Sequence, residues 1–296
     1  PIFTIIAVFG SAITFQFMTE EKKKKEIRDA FSRYVSPSLV GEILKDPKRL
    51  VLGGEEKRLT VLFSDIRGFT SISETLKPQV LVKLMNDYLT PMTDIVLKNG
   101  GTVDKYMGDA IMAFWGAPVW QDDHAHRACR TALEMLEKLY ELQMVWGESG
   151  LPKLDIGIGI STGKVTVGNM GSTTRFDYTV MGDTVNLGSR LEGLNKEYGT
   201  HIIVPKYTYN DIVESKGDQR ERKRRALSSW SAEAVEQRFL KDRRAESSAP
   251  KGEFLLRQLD MLKVKGKDAP IKVYELLEEK SGASDIKEIV ELFEAG

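Results

Sequence analysis

Two aspartates interrupt apolar runs beside a glycine, Asp65 in Leu59-Thr-Val-Leu-Phe-Ser-Asp-Ile-Arg-Gly-Phe-Thr70 and Asp109 in Lys105-Tyr-Met-Gly-Asp-Ala-Ile-Met-Ala-Phe-Trp-Gly116. An ionised carboxylate at a strand end beside a core is costly unless it is paired or bound to a cation. Two such groups held close would repel without a positive charge between them. The pattern points to a metal–phosphate site built on a hard divalent ion. The alternative is a pair of ordinary turn acids, because aspartate is common where strands end. An apolar flank on one side and glycine on the other suit a ligand near the backbone better than a solvated loop.

The elements that must position these acids follow from residue spacing. Leu59, Val61, Leu62 and Phe63 read as a buried strand, with Asp65 at its exit and Gly68 permitting a sharp turn. Residues 102–107 and 110–115 read as two short strands joined by Gly108-Asp109, which puts Asp109 on a hairpin tip. Between them Val80, Leu81, Leu84, Tyr88, Leu89, Met92, Ile95 and Val96 keep helical spacing. Pro78 opens that helix, Gly100-Gly101 stops it, and Pro91 lies inside it.

A second amphipathic helix is predicted over about 123–145, with Ala128, Ala132, Leu133, Leu136, Leu139, Tyr140 and Gln143 in its inner stripe. His124 and His126 at its start are two apart and diverge on a helix, so they are expected as surface histidines behind an Asp122-Asp123 cap. Residues 154–160 read as a strand with alternate glycines, whose face something else can approach closely, and 163–168 as its hairpin partner. Residues 175–192 pass from strand to helix at Gly182-Asp183, and Asn186 and Arg190 share a helix face. A strand over 201–205, a short helix, and strands over 253–266 and 271–277 complete an α+β sandwich. Its sheet contains antiparallel pairs, with helices expected on one face.

Composition bounds what else the chain can be. Its 296 residues are 41% hydrophobic, enough for one large domain with appendages. Lys+Arg and Asp+Glu balance at 43 each, which argues against nucleic acid as a partner. Cys129 is the single cysteine, so no disulfide forms within the chain, and its helical setting suggests a core filler. Residues 1–18 carry no charge and precede Lys22 to Lys25, which reads as the end of a transmembrane helix with the rest on the cytoplasmic side. A buried core helix is the other reading of that run. Residues 19–49 read as a juxtamembrane helical linker and 281–296 as a tail helix. Within the domain over 50–280, a basic stretch at about 216–250 reads as an insertion, either a solvated loop or an amphipathic helix for a membrane surface or partner.

Three motifs in order, Phe63-Ser-Asp-Ile-Arg-Gly-Phe-Thr70, Lys105-Tyr-Met-Gly-Asp109 and Tyr178-Thr-Val-Met-Gly-Asp-Thr-Val-Asn-Leu-Gly-Ser-Arg190, resemble the catalytic domain of class III nucleotidyl cyclases. The leader and Arg33-Tyr-Val-Ser-Pro37 also resemble membrane-anchored bacterial members, which implies a bacterial inner membrane location. The resemblance implies a ferredoxin-like, palm-type βαββαβ sandwich. It also implies that Asp65, Asp109 and the Ile66 carbonyl hold two Mg²⁺ or Mn²⁺ ions. By the same resemblance Arg190 stabilises the transition state, Asn186 orients the ribose, and Lys265 is a weaker match to a phosphate-binding lysine. The activity implied is conversion of ATP to 3′,5′-cyclic AMP and pyrophosphate by a homodimer with interfacial sites.

Base choice is argued from donors and acceptors. Lys105 is a donor only and suits adenine N1, whereas guanylyl members are expected to have glutamate there. Thr179 can accept from the 6-amino group of adenine or donate to a guanine carbonyl. The family more often has aspartate at that position. A guanylate cyclase and a silent dimerisation or nucleotide-sensing module are the competing readings.

Overall fold

The computed structural model describes residues 51–213, 253–262 and 270–280, together with residues 15, 16, 18, 19, 22 and 39–41. The chain divides into two units, Pro1–Leu52 and Gly53–Gly296. In the first, the described positions up to 41 are helical, with the Thr19 hydroxyl donating to the Phe15 carbonyl one turn back, at 2.8 Å. Most of the expected membrane segment and linker, and all of the basic insertion from 216, the tail helix and Lys265, lie outside the described residues. Among the described residues no helix is long and apolar enough to cross a membrane.

The described strands of the second unit are β1 (Gly53–Ile66), β2 (Thr102–Met107), β3 (Ala110–Trp115), β4 (Ile156–Gly171), β5 (Phe176–Met181), β6 (Ile202–Pro205), β7 (Glu253–Leu262) and β8 (Ile271–Lys280). Among the described residues they form one eight-stranded mixed sheet in the order β2-β3-β1-β4-β6-β8-β7, with β5 also pairing β4. The helices are α1 (Phe69–Thr75), α2 (Pro78–Lys98), α3 (His124–Glu148), α4 (Asp183–Tyr198) and α5 (Lys206–Val213). The expected α+β sandwich is therefore present. Among the described residues only β4 and β6 pair in parallel; the other pairings are antiparallel.

β1 lies between β3 and β4, and its alternation divides the core. Leu62 and Ile66 join Leu84, Tyr88, Met92 and Val96 of α2 and Ala128, Cys129, Ala132 and Met135 of α3 in one buried cluster. Leu59, Val61 and Phe63 point the other way, into a cluster with Phe114, Val165 and Val180. Helix α4 covers part of this second face, where Gly188 packs against Val61 and Phe63. Helices thus lie on both faces, which corrects the expectation of one. The reason is the path of the chain: α4 follows β5 back across β4 rather than joining α2 and α3.

Two further expectations are overturned. Residues 163–168 form no hairpin with 154–160, because β4 runs unbroken for 16 residues. Gly163 is a mid-strand position under Thr184, whose Oγ1 lies 2.5 Å from where a Cβ would stand. His124 and His126 are not surface residues; each is only 5% exposed. His124 Nδ1 meets the Thr60 hydroxyl at 2.7 Å, while the His126 ring tilts against Phe254 at 5.2 Å. The Asp123 side chain makes no capping bond and instead accepts from Arg127 Nε at 2.7 Å.

Candidate active site

The sheet brings Asp65 and Asp109 together. β1 and β3 pair through Ser64↔Ile111, so the β2–β3 hairpin tip falls beside the end of β1. Gly108 makes that tip possible, with φ at 73°, a left-handed conformation that costs glycine little. The Ile66 amide donates to Asp109 Oδ2 at 3.2 Å. The two carboxyl groups lie within hydrogen-bonding reach of each other.

Their electrostatics fit a hard cation. Burial pushes the Asp65 carboxyl up to about 6; the hydrogen bond and negative charge of Asp109 add to this, and the Ile66 amide opposes it. Like charges this close cannot both ionise cheaply without a positive partner. Among the described residues no group of three or more His, Cys, Asp or Glu side chains could hold a metal. Two carboxylates alone leave most coordination positions to water or phosphate oxygens, which is how Mg²⁺ is usually held.

A third acid and a basic residue adjoin this pair, and neither role is legible from residue spacing. In the β1–β4 ladder Asp65 stands opposite Gly157, and Glu192 Oε1 lies 2.8 Å from where a Gly157 Cβ would be. Burial pushes the Glu192 carboxyl up to about 7, helped by the charge of Asp65 and opposed by Arg67. Arg67 Nη1 donates to Asp155 Oδ2 at 2.8 Å, and its Nη2 reaches the Thr200 carbonyl. Asp155 also meets His201 Nε2 at 3.0 Å. Arg67 therefore ties the exit of β1 to the entry of β4 and to the turn after α4.

Lys105 and Thr179 come together on one buried carboxylate. Lys105 Nζ is 3.2 Å from Asp104 Oδ1, and the Thr179 hydroxyl donates to Asp104 Oδ2 at 2.5 Å. Asn186 and Arg190 are one turn apart on α4 and both exposed, while Leu187 and Leu191 are buried. α4 thus offers an open polar face of the kind a large anionic ligand needs.

The adenylate and guanylate cyclase catalytic domain family matches residues 54–240, and the chain belongs to that family. It is 34% identical over 261 residues to an adenylate cyclase of Anabaena cylindrica, covering 86% of this chain and 44% of that protein. It is 38% identical over 179 residues to adenylate cyclase 1 of Rhizobium meliloti, covering 60% of this chain and 27% of that protein. The chain spans less than half the length of these curated relatives. Among solved structures it resembles the adenylyl cyclase CyaB from P. aeruginosa, with TM-score 0.60 and 33% identity over 79% of this chain and 100% of that one. It also resembles the guanylyl cyclase Cya2, with TM-score 0.58 and 31% identity over 79% of this chain and 98% of that one.

Proposed function

We propose that this chain is the catalytic part of an adenylate cyclase that converts ATP to 3′,5′-cyclic AMP and pyrophosphate. The convergence of Asp65 and Asp109 at the end of β1 carries this reading. Membership in the cyclase family and likeness to named adenylate cyclases support it.

Asp65, Asp109 and the Ile66 carbonyl are the groups to hold two divalent cations. When bound, Mg²⁺ or Mn²⁺ ions would neutralise the triphosphate and favour loss of the ribose 3′-hydroxyl proton. The 3′-oxygen forms a bond to the α-phosphorus as the bond to the bridging oxygen of pyrophosphate breaks. Arg190 donates to the α-phosphoryl oxygens, where negative charge grows. Asn186 orients the ribose, Lys105 and Thr179 read the adenine edge, and Lys265 meets a terminal phosphate. The site is completed across a homodimer, with the acids from one protomer and the base, ribose and arginine groups from its partner. Attachment to a bacterial inner membrane through residues 1–18 rests on the charge-free run there and the lysines that follow.

The test is production of cyclic AMP from ATP with Mn²⁺. Arg190→Ala is expected to lower kcat by about 100-fold or more, and Asp65→Asn to abolish metal-dependent turnover. A parent protein that binds ATP without converting it would favour the silent module instead.

A further inference from the structure

Asp104 immediately precedes Lys105 on β2, and on a regular strand their side chains would leave opposite faces. The β2–β3 register shifts between them: Val103 pairs with Ala113 and Lys105 with Met112, leaving Asp104 as the extra residue of a bulge. Bulges re-aim side chains. Here the Lys105 ammonium comes back over the Asp104 carboxylate, at 3.2 Å from Oδ1.

The Asp104 side chain is wholly buried, whereas that of Lys105 remains 40% exposed. The Thr179 hydroxyl donates to Asp104 Oδ2 at 2.5 Å, while the Lys105 ammonium pairs with Oδ1 by charge without a hydrogen bond to it. Burial is the largest influence and raises Asp104 on balance, while Thr179, Lys105 and the Val180 amide pull the other way. In this arrangement Asp104 Oδ2 is the acceptor of the Thr179 proton. A threonine hydroxyl has one proton and two lone pairs, so with its proton committed to Asp104, Thr179 has only lone pairs left for a ligand.

We propose that Asp104 is a specificity-determining positioning residue: it holds the Thr179 proton and the Lys105 ammonium, so that Thr179 is presented to the base as an acceptor and Lys105 as a donor. That pair matches the 6-amino group and N1 of adenine and opposes the 6-oxo group and N1–H of guanine. The proposal rests on the adenylate cyclase reading above, and it removes the ambiguity that a free threonine hydroxyl would leave. Asparagine at position 104 would offer an N–H₂ to Thr179 and free its hydroxyl to turn outward and donate.

The experiment compares kcat/KM for ATP and GTP, with Mn²⁺, in the parent, Asp104→Asn, Thr179→Val, the double variant and Thr179→Ser. Both substrates are read on the same preparation, so the ratio is independent of the folded fraction. The ATP:GTP ratio is expected to fall by about tenfold or more in Asp104→Asn and in Thr179→Val. In the double variant it should fall no further than about twofold beyond Thr179→Val, because both changes remove one interaction. Thr179→Ser, which keeps the hydroxyl, is expected to retain the parent ratio.

An Asp104→Asn variant that slows both substrates equally overturns the proposal, as does one that shifts the ratio just as much in the Thr179→Val background. If Asp104→Asn turns over neither nucleotide, Thr179→Val decides: a fall in the ratio supports the proposal and an unchanged ratio overturns it. A parent that prefers GTP or uses neither nucleotide fails the underlying reading, and the proposal with it. That result is distinct from a discriminating parent whose variants keep its ratio.

Discussion

Gly159 lies beneath Gly188: a Cβ on Gly159 would run into the Gly188 carbonyl oxygen, so α4 rests on the bare backbone of β4. The same strand face carries Gly157 under Glu192 and Gly163 under Thr184. The alternate glycines thus seat the helix that bears Asn186 and Arg190.

Gly159→Ala must therefore lift α4 or bend β4. It is expected to cost about 1–3 kcal/mol, read as a lower urea midpoint, and to reduce activity with it. Gly193→Ala is the control on the same helix, since nothing lies within 4 Å of a Cβ there. It should stabilise by about 0.4–1 kcal/mol. Equal midpoints for the two variants would contradict this seating of α4.

The acid cluster gives the metal-free protein a pH dependence of definite sign. Asp65 is pushed from 3.8 up to about 6, and Glu192 from 4.5 up to about 7. The folded state thus holds protons that the unfolded chain releases, and the associated stability is present at low pH and lost as pH rises through about 6 to 7. With a chelator present, the parent's urea midpoint should fall between pH 5 and pH 7.5 by more than that of Asp65→Asn. Saturating Mn²⁺ should raise the parent at pH 7.5 more than at pH 5, since cation binding favours the ionised acids. Identical pH slopes in the two proteins would refute the assignment.

Arg67 should matter to stability although nothing in its motif says so. Its bonds to Asp155 and the Thr200 carbonyl join three segments distant in sequence. Arg67→Ala is expected to cost about 1.5–3 kcal/mol, as for hydrogen bonds made by charged groups. A urea midpoint matching the parent's would show that these segments hold without it.

Sequence legibility divides along physical lines. The β2–β3 hairpin and the passage from β5 to α4 were readable because turn glycines and alternating apolar runs are local signals, and both acids followed from them. Gly163 misled because a glycine that admits a helix looks, in one dimension, like a glycine that makes a turn. His124 and His126 misled because divergence on a helix does not imply exposure: one packs toward Thr60 and the other toward Phe254. Asp104, Arg67 and Glu192 acquire meaning only through partners far along the chain, such as Thr179 and Asp155. No spacing rule reaches that far.

The most direct measurement mixes two inactive proteins. Asp65→Ala lacks a metal acid and Arg190→Ala lacks the arginine, so neither homodimer should make cyclic AMP from ATP and Mn²⁺. After subunit exchange at equal amounts, half the dimers are mixed and each holds one intact site, so activity should recover to about a quarter of the parent's. Mixed dimers that form and remain inactive would contradict a site shared between the Asp65–Asp109 pair of one protomer and Arg190 of its partner.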